Sequence, residues 1–172
     1  MRTGRPPHLK TFDYVGLYRY FLTFCTHERK KHFVNQPHVD VAQVQILRAA
    51  KDEGFAVIAY CFMPDHVHLL VEACSDSSDC LRFIKRAKQV SGFHFSKQFG
   101  KRLWQRYGYE HTLRNDDATL VVARYIIENP VRARLAENAA EYPFSGSKTH
   151  SLSEILAAIG DFRSPAKAGH YD

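Results

Sequence analysis

Apolar and polar positions along the chain change period in a readable order. Residues 17–26 are dense in aromatic and β-branched side chains and predict a first strand. Pro37 then precedes Val41, Val44, Ile46 and Leu47, spaced for one face of a helix that ends near Gly54. Residues 55–62 form a short apolar run of strand length. Met63-Pro64-Asp65 supplies turn chemistry, and 66–72 alternates as a second strand, so the pair reads as a hairpin. Asp76, Ser77, Ser78 and Asp79 offer caps for a basic helix over 80–98, anchored by Leu81, Ile84, Ala87 and Val90, with Gly92 weakening its second half. Residues 104–113 predict a further strand bent at Gly108. Asp116 and Asp117 cap a helix through Leu120, Val121, Tyr125 and Ile126 that Pro130 terminates, and 151–159 forms a short last helix.

The order strand, helix, strand, strand, helix, strand predicts an α+β fold. It is that of a ferredoxin-like β-α-β-β-α-β antiparallel sheet with helices on one face, plus an additional C-terminal helix that carries Tyr125. Residues 1–13 read as a flexible arm, 14–147 as the domain, and 148–172 as a short helix followed by a frayed tail.

Composition changes this picture only through its charge. Hydrophobic residues at 45% and charged residues at 24% are those of a globular chain of one domain. No apolar run reaches the ~20 residues of a membrane span, and the polar N-terminus lacks a signal-peptide core, so the expected compartment is the cytoplasm, away from membranes. Cys25, Cys61, Cys74 and Cys80 show no Cys-x-x-Cys spacing and read as reduced. The net charge of +6 is localised: residues 81–114 hold nine Lys and Arg against the single acid Glu110. Phe93, Phe95, Phe99, Trp104, Tyr107 and Tyr109 interleave with those charges, a mixture suited to phosphate contact and base stacking. The same pattern also fits a solvated helix whose aromatics point into the core.

His66 and His68 stand one residue apart inside the apolar run Pro-Asp-His-Val-His-Leu-Leu-Val. On a strand they share a face with Leu70 and Glu72, roughly 6–7 Å apart along the chain, and two imidazoles so placed can converge on one cation. The cysteines are not spaced to complete a closed zinc site. Two imidazoles with oxygen ligands suit manganese or magnesium, and manganese tolerates imidazole better. Tyr125 and Asn129, four apart on the last long helix, bring a phenol and an amide toward one point.

Three blocks together, Tyr-Cys-Phe-Met-Pro-Asp-His-Val-His-Leu-Leu-Val (60–71), Trp-Gln-Arg-Tyr-Gly-Tyr-Glu-His-Thr-Leu-Arg (104–114) and Tyr-Ile-Ile-Glu-Asn-Pro-Val-Arg-Ala (125–133), resemble the REP-associated tyrosine transposases. These belong to the single-tyrosine, His-hydrophobic-His class of transposases and nucleases, and the resemblance runs from about residue 14 to about 147. It implies a transposase-like single-strand nuclease domain over 14–147. His66, His68 and Asn129 would be its metal ligands and Tyr125 its nucleophile. The implied activity is metal-dependent cleavage and transfer of single-stranded, hairpin-associated DNA through a covalent 5′-phosphotyrosine. A phenol, with a pKa near ~10, needs a deprotonating influence for that attack.

Lys85, Arg86, Lys88, Arg106 and Arg114 are the candidates for the DNA path, and the partner is single-stranded or hairpin DNA bound by a monomer or a homodimer. The main rival is a domesticated protein that binds hairpin DNA or RNA without cutting. A phosphohydrolase of small nucleotides would not need the basic segment, and an RNA module stacking bases on its sheet would not carry paired histidines there.

Overall fold

The computed structural model describes residues 12–107, 109–113 and 118–162. Strand β1 (Arg19–Cys25) is followed by helix α1 (Gln36–Asp52), strands β2 (Phe55–Met63) and β3 (His66–Ala73), helix α2 (Cys80–Phe99) and strand β4 (Tyr109–Thr112). Helices α3 (Thr119–Ile127) and α4 (Asn129–Arg132), a two-residue strand β5 (Ser145–Gly146) and helix α5 (Leu152–Leu156) complete it. All strand pairs are antiparallel, in the spatial order β4-β1-β3-β2-β5. The element order is thus the β-α-β-β-α-β expected, with β3 in the middle of the sheet.

Alternation along the strands divides the interior in two. Tyr20, Leu22 and Phe24 of β1 and Val67, Leu69 and Val71 of β3 meet α1 and α2 through Ile46, Ala49, Phe83, Ala87 and Phe95. Phe21, Leu70, Cys61 and Met63 meet α3 and α5 on the other face through Val122, Ala123, Ile126, Ile127 and Ile155. Each large apolar side chain buried this way contributes roughly 1.5–3 kcal/mol. A bulge in β2 makes the second face possible: Val57 pairs with Val71 and Ala59 with Leu70, which leaves Ile58 as the extra residue. The shift in parity turns Ala59, Cys61 and Met63 toward α3.

Local signals account for the ends of the helices. Asn35 accepts from His38 N–H at the start of α1, and Asp79 accepts from Arg82 N–H at the start of α2. Gly54 after α1 has φ +75°, and a Cβ there would lie 2.9 Å from Ser78 Oγ, whose hydroxyl donates to the Gly54 carbonyl at 2.8 Å. α5 is opened by a capping box between Ser151 and Glu154.

Several expectations are corrected. Val44 (59% exposed) and Leu81 (41%) face outward, because Val39, Ala42 and Ile46 form the inner stripe of α1 and Cys80, Phe83 and Ala87 that of α2. Gly92 does not interrupt α2, which runs unbroken to Phe99. Helix α3 begins after Ala118 without a side-chain cap. Gly108, Asp116 and Asp117 lie outside the described residues, as do the arm over 1–11 and the tail after 162. Among the described residues, no helix is long and apolar enough to cross a membrane.

Candidate active site

β3 runs between β1 and β2, so any residue it turns toward α3 is flanked on both sides. His68 pairs with Thr23 of β1 and Cys61 of β2; His66 pairs with Cys25 and Met63. The two imidazoles converge: their Nε2 atoms are 3.1 Å apart, with ring centroids at 4.6 Å. Both Nδ1 atoms are engaged elsewhere. Asp65 Oδ1 lies 2.7 Å from His66 Nδ1, and Thr23 Oγ1 lies 2.9 Å from His68 Nδ1. The other oxygen of Asp65 pairs with Arg29 Nε at 3.0 Å.

The turn that carries Asp65 is pinned through its backbone. The Asp65 carbonyl accepts from Thr26 N–H at 2.9 Å and from the Thr26 hydroxyl at 3.0 Å, while Phe33 N–H donates to the Pro64 carbonyl at 3.0 Å. Arg29 reaches Asp65 from a turn in which Glu28 and Arg29 both have positive φ, near 55° and 53°. That conformation costs a non-glycine residue roughly 1–2 kcal/mol. The same Arg29 donates to Cys25 Sγ at 2.6 Å, so the turn holds one guanidinium across Asp65 and Cys25.

These contacts set the protonation chemistry. Asp65 accepts a hydrogen bond from His66 Nδ1–H, which selects the tautomer whose lone pair lies on Nε2. Thr23, a hydroxyl, can accept from or donate to His68 Nδ1 and so serves either tautomer of that ring. Burial, followed by the charges of His66, Arg132 and Arg29, pushes the His68 imidazole well below its ordinary range and keeps it neutral. Burial opposes ionisation of Asp65, yet the hydrogen bond and charge of His66, with Arg29, hold its carboxyl below the usual value.

A divalent cation fits this pair. Two imidazole nitrogens ~2.1 Å from one ion and ~90° apart stand ~3.0 Å from each other, which matches the observed separation. Cysteine does not complete the set. Burial raises the Cys61 thiol to about 12, and burial raises Cys25 against the opposing effect of Arg29. Among the described residues, no group of three or more His, Cys, Asp and Glu side chains could hold a metal. A cation held here would have two imidazole donors from the described residues and its other positions open, the pattern of a reactive rather than a closed site.

Helix α3 lies across the same face. Val122, Ala123, Ile126 and Ile127 fill the core beneath it, and Tyr125 sits half-buried at its margin. The completely buried Phe21 joins the two parts of the site: its ring stacks on His68 at 5.3 Å and meets the Tyr125 ring edge-on at 6.3 Å. Phe162 packs against Tyr125 at 5.3 Å, and Arg124 holds the segment that leads to it by donating to the Ala158 and Gly160 carbonyls. Arg132 lies over the Tyr125 ring with its guanidinium carbon 4.0 Å from the centroid. Asn129 is partly buried and opens α4, immediately after Glu128 caps α3.

The basic segment divides by role. Arg86 pairs with Asp52 at 3.1 Å and Glu53 at 3.7 Å, and Arg82 also bonds to Glu53, so these guanidiniums tie α2 to the end of α1. Lys88 donates to the Gln105 and Arg106 carbonyls at 2.8 and 3.3 Å. Lys85 and Arg106 are exposed, the latter 5.5 Å from the Tyr107 ring. Arg114 lies outside the described residues, as do the side chains of Tyr109, Glu110 and His111. Of the proposed stacking aromatics, Phe95 and Trp104 are buried, Trp104 with its indole N–H on Ser91 Oγ, and Phe99 packs on that core. Phe93 stands 62% exposed.

Sequence reasoning missed Thr23, Phe21, Arg29 and the side chain of Asp65. Thr23, Phe21 and Arg29 come from β1 and the turn after it, distant in sequence, and carry no local signal. Asp65 did carry one: a carboxylate beside a histidine that shares a face with a second histidine.

The model of the IS200-like transposase family matches residues 14–129. A Haemophilus influenzae protein assigned to the REP-associated tyrosine transposases is 26% identical over 157 residues, covering 85% of this chain and 88% of its own. The Escherichia coli REP-associated tyrosine transposase is 30% identical over 104 residues, covering 58% and 59%. Among solved structures, a REP-associated tyrosine transposase bound to a REP hairpin superposes with a TM-score of 0.66 at 21% identity, over 81% of this chain and 82% of that one. A Deinococcus radiodurans protein assigned as a transposase gives 0.51 at 23% identity, over 78% and 92%.

Proposed function

The chain belongs to the family of IS200-like transposases, and from that premise we propose that it is a metal-dependent endonuclease and strand transferase of single-stranded, hairpin-associated DNA. The observation that carries the reading is the pair of convergent imidazoles, Nε2 to Nε2 at 3.1 Å, joined through the buried Phe21 to the ring of Tyr125. The relative bound to a REP hairpin supplies the substrate class. A protein that only bound hairpins would need no such pair.

In this reading His66 and His68 hold manganese or magnesium, with Asn129 as a third ligand, and Tyr125 is the nucleophile. The ion, when bound, polarises the scissile phosphate as a Lewis acid. Asp65 and Thr23 fix the imidazole rings so that both Nε2 lone pairs point to one place. Phe21 and Phe162 hold the Tyr125 ring against the protein. The phenolic oxygen attacks phosphorus and its proton passes to solvent. The bond to the 3′-oxygen breaks, and that oxygen leaves as a hydroxyl. The product is a 5′-phosphotyrosine that a later 3′-hydroxyl can reverse, joining strands without an energy-rich cofactor. Lys85 and Arg106 lie on the DNA path, with Arg114 as a further member, while Arg86 and Lys88 act through their contacts within the protein.

A nicking assay tests this on labelled single-stranded hairpins taken from DNA flanking the gene, with manganese or magnesium and with chelator. Wild type should give a covalent protein–DNA adduct that needs metal, Tyr125→Phe should give none, and His66→Ala should bind hairpin without cutting. Hairpin binding with no adduct under any condition would replace this reading with that of a domesticated binder.

A further inference from the structure

Arg132 closes the block Tyr125–Arg132 in sequence and has no part in the chemistry described so far. One of its terminal nitrogens donates to the Tyr125 carbonyl, and the other stands 3.8 Å from Glu128 Oε2, beyond hydrogen-bond distance. A guanidinium carries five N–H donors, so most of this one's capacity is uncommitted by those contacts. Its side chain is 38% exposed. It lines an open cleft of about 550 Å³ with Glu128, Val131, Asn138, Ala139 and Leu156. Its guanidinium covers the ring of Tyr125 at 4.0 Å, and that ring meets Phe21, which stacks on His68. The ring of the nucleophile and an accessible cleft therefore border on one cation, and the buried Phe21 connects that ring to the imidazole pair.

We propose that Arg132 is a catalytic residue that binds a non-bridging oxygen of the scissile phosphate beside the Tyr125 ring; the proposal rests on the reading given under Proposed function. Phosphoryl transfer gathers negative charge on the non-bridging oxygens. A planar guanidinium presents paired donors that match a phosphate, and it does so without giving up a proton. The long contact to Glu128 is then exchanged for the phosphate, while the contact with the ring keeps nucleophile and electrophile side by side. As Tyr125 bonds to phosphorus and the 3′-oxygen leaves with a proton, Arg132 keeps all of its own protons and is not consumed.

A substrate charge test separates this role from that of a scaffold. Adduct formation is timed for wild type, Arg132→Gln and Arg132→Lys on two hairpin oligonucleotides, one with a normal diester at the scissile position and one with an uncharged methylphosphonate there. Hairpin affinity and melting temperature are measured alongside. On the diester, Arg132→Gln should lose roughly 10²–10³-fold in rate, as removal of a single transition-state donor does, and Arg132→Lys should recover part of it. On the methylphosphonate, wild type and Arg132→Gln should differ by only a few-fold, because the charge that Arg132 answers is gone. Equal loss on both substrates would make Arg132 a support for Tyr125 and overturn the proposal, as would no loss on either. If Arg132→Gln melts early, Arg132→Lys carries the same comparison, with equal loss on both substrates again the refuting result. Wild type without adduct would instead refute the nuclease reading, and this inference with it.

Discussion

Replacing Asp65 with Asn keeps the shape of the side chain while removing the charge that orients His66. In the structure one carboxylate serves two donors, His66 Nδ1 at 2.7 Å and Arg29 Nε at 3.0 Å. An amide offers a single oxygen, and its NH₂ must then face either the ring N–H or the guanidinium. Turned one way, the substitution disorders the His66 ring and its tautomer; turned the other, it frees Arg29. Loss of such an outer partner weakens metal binding by about 10–100-fold, which is about 1.4–2.7 kcal/mol. The turn itself should survive, since Thr26 and Phe33 hold it through the Asp65 and Pro64 carbonyls. The assay is calorimetric titration with manganese(II) of wild type, Asp65→Asn and His66→Ala, with melting temperatures recorded. Asp65→Asn should bind with the weaker affinity given above, His66→Ala should show no binding, and the Asp65 variant should melt close to wild type. Wild-type affinity in Asp65→Asn, or a loss explained by an equal fall in folding stability, would refute the reasoning.

Stability should fall as pH falls through ~6.5, because His32 is buried with its Nε2 lacking a partner among the described residues. Burial first, then the charges of His38 and Lys101, keep its native imidazole below that value, so the unfolded chain takes up the proton first. His68 adds the same sign. Melting temperature should rise from about pH 5 to about pH 7, His32→Phe should remove part of the slope, and an unchanged slope would exclude His32 as a source. Phe21→Ala should cost about 3–5 kcal/mol in denaturant unfolding. Phe21→Leu should stay folded and slow adduct formation at unchanged manganese affinity; adduct formation at the wild-type rate would remove Phe21 from the account. Lys85→Ala should reduce the salt dependence of hairpin binding by about one phosphate contact. Arg86→Ala should mainly lower the melting temperature, given its pairs with Asp52 and Glu53. The reverse pattern would show that Arg86 faces the DNA.

The parts of the fold legible in the sequence were those with local causes. Alternation over 66–72 and the Pro64-Asp65 turn define the hairpin, and Asp79 marks the start of α2 through its own side chain. Tertiary choices were less visible. A helical repeat does not say which of two adjacent stripes meets a sheet, so Val44 and Leu81 were expected inside while Val39 and Cys80 occupy those places. Nor does a charge count show which cations are already paired: Arg86 and Lys88 look the same in sequence as Lys85, yet both are held by contacts within the protein. Two aromatics of the basic segment, Phe95 and Trp104, went to the core instead, with Phe99 packed against it, because the sheet face above α2 needed large apolar volume. At the candidate site the histidines could be read from spacing on one strand. Thr23 and Phe21 could not, since they reach His68 only through the pairing of β1 with β3.

The most direct test of the central claim is to locate the covalent bond. Wild-type protein is incubated with a single-stranded hairpin and manganese, the adduct is digested with protease and nuclease, and the modified peptide is sequenced by mass spectrometry. The account predicts a nucleotide attached through its 5′-phosphate to Tyr125, formed only with metal and absent from His66→Ala. A nucleotide on another residue, attachment through a 3′-phosphate, or an adduct that forms equally well in chelator would contradict it.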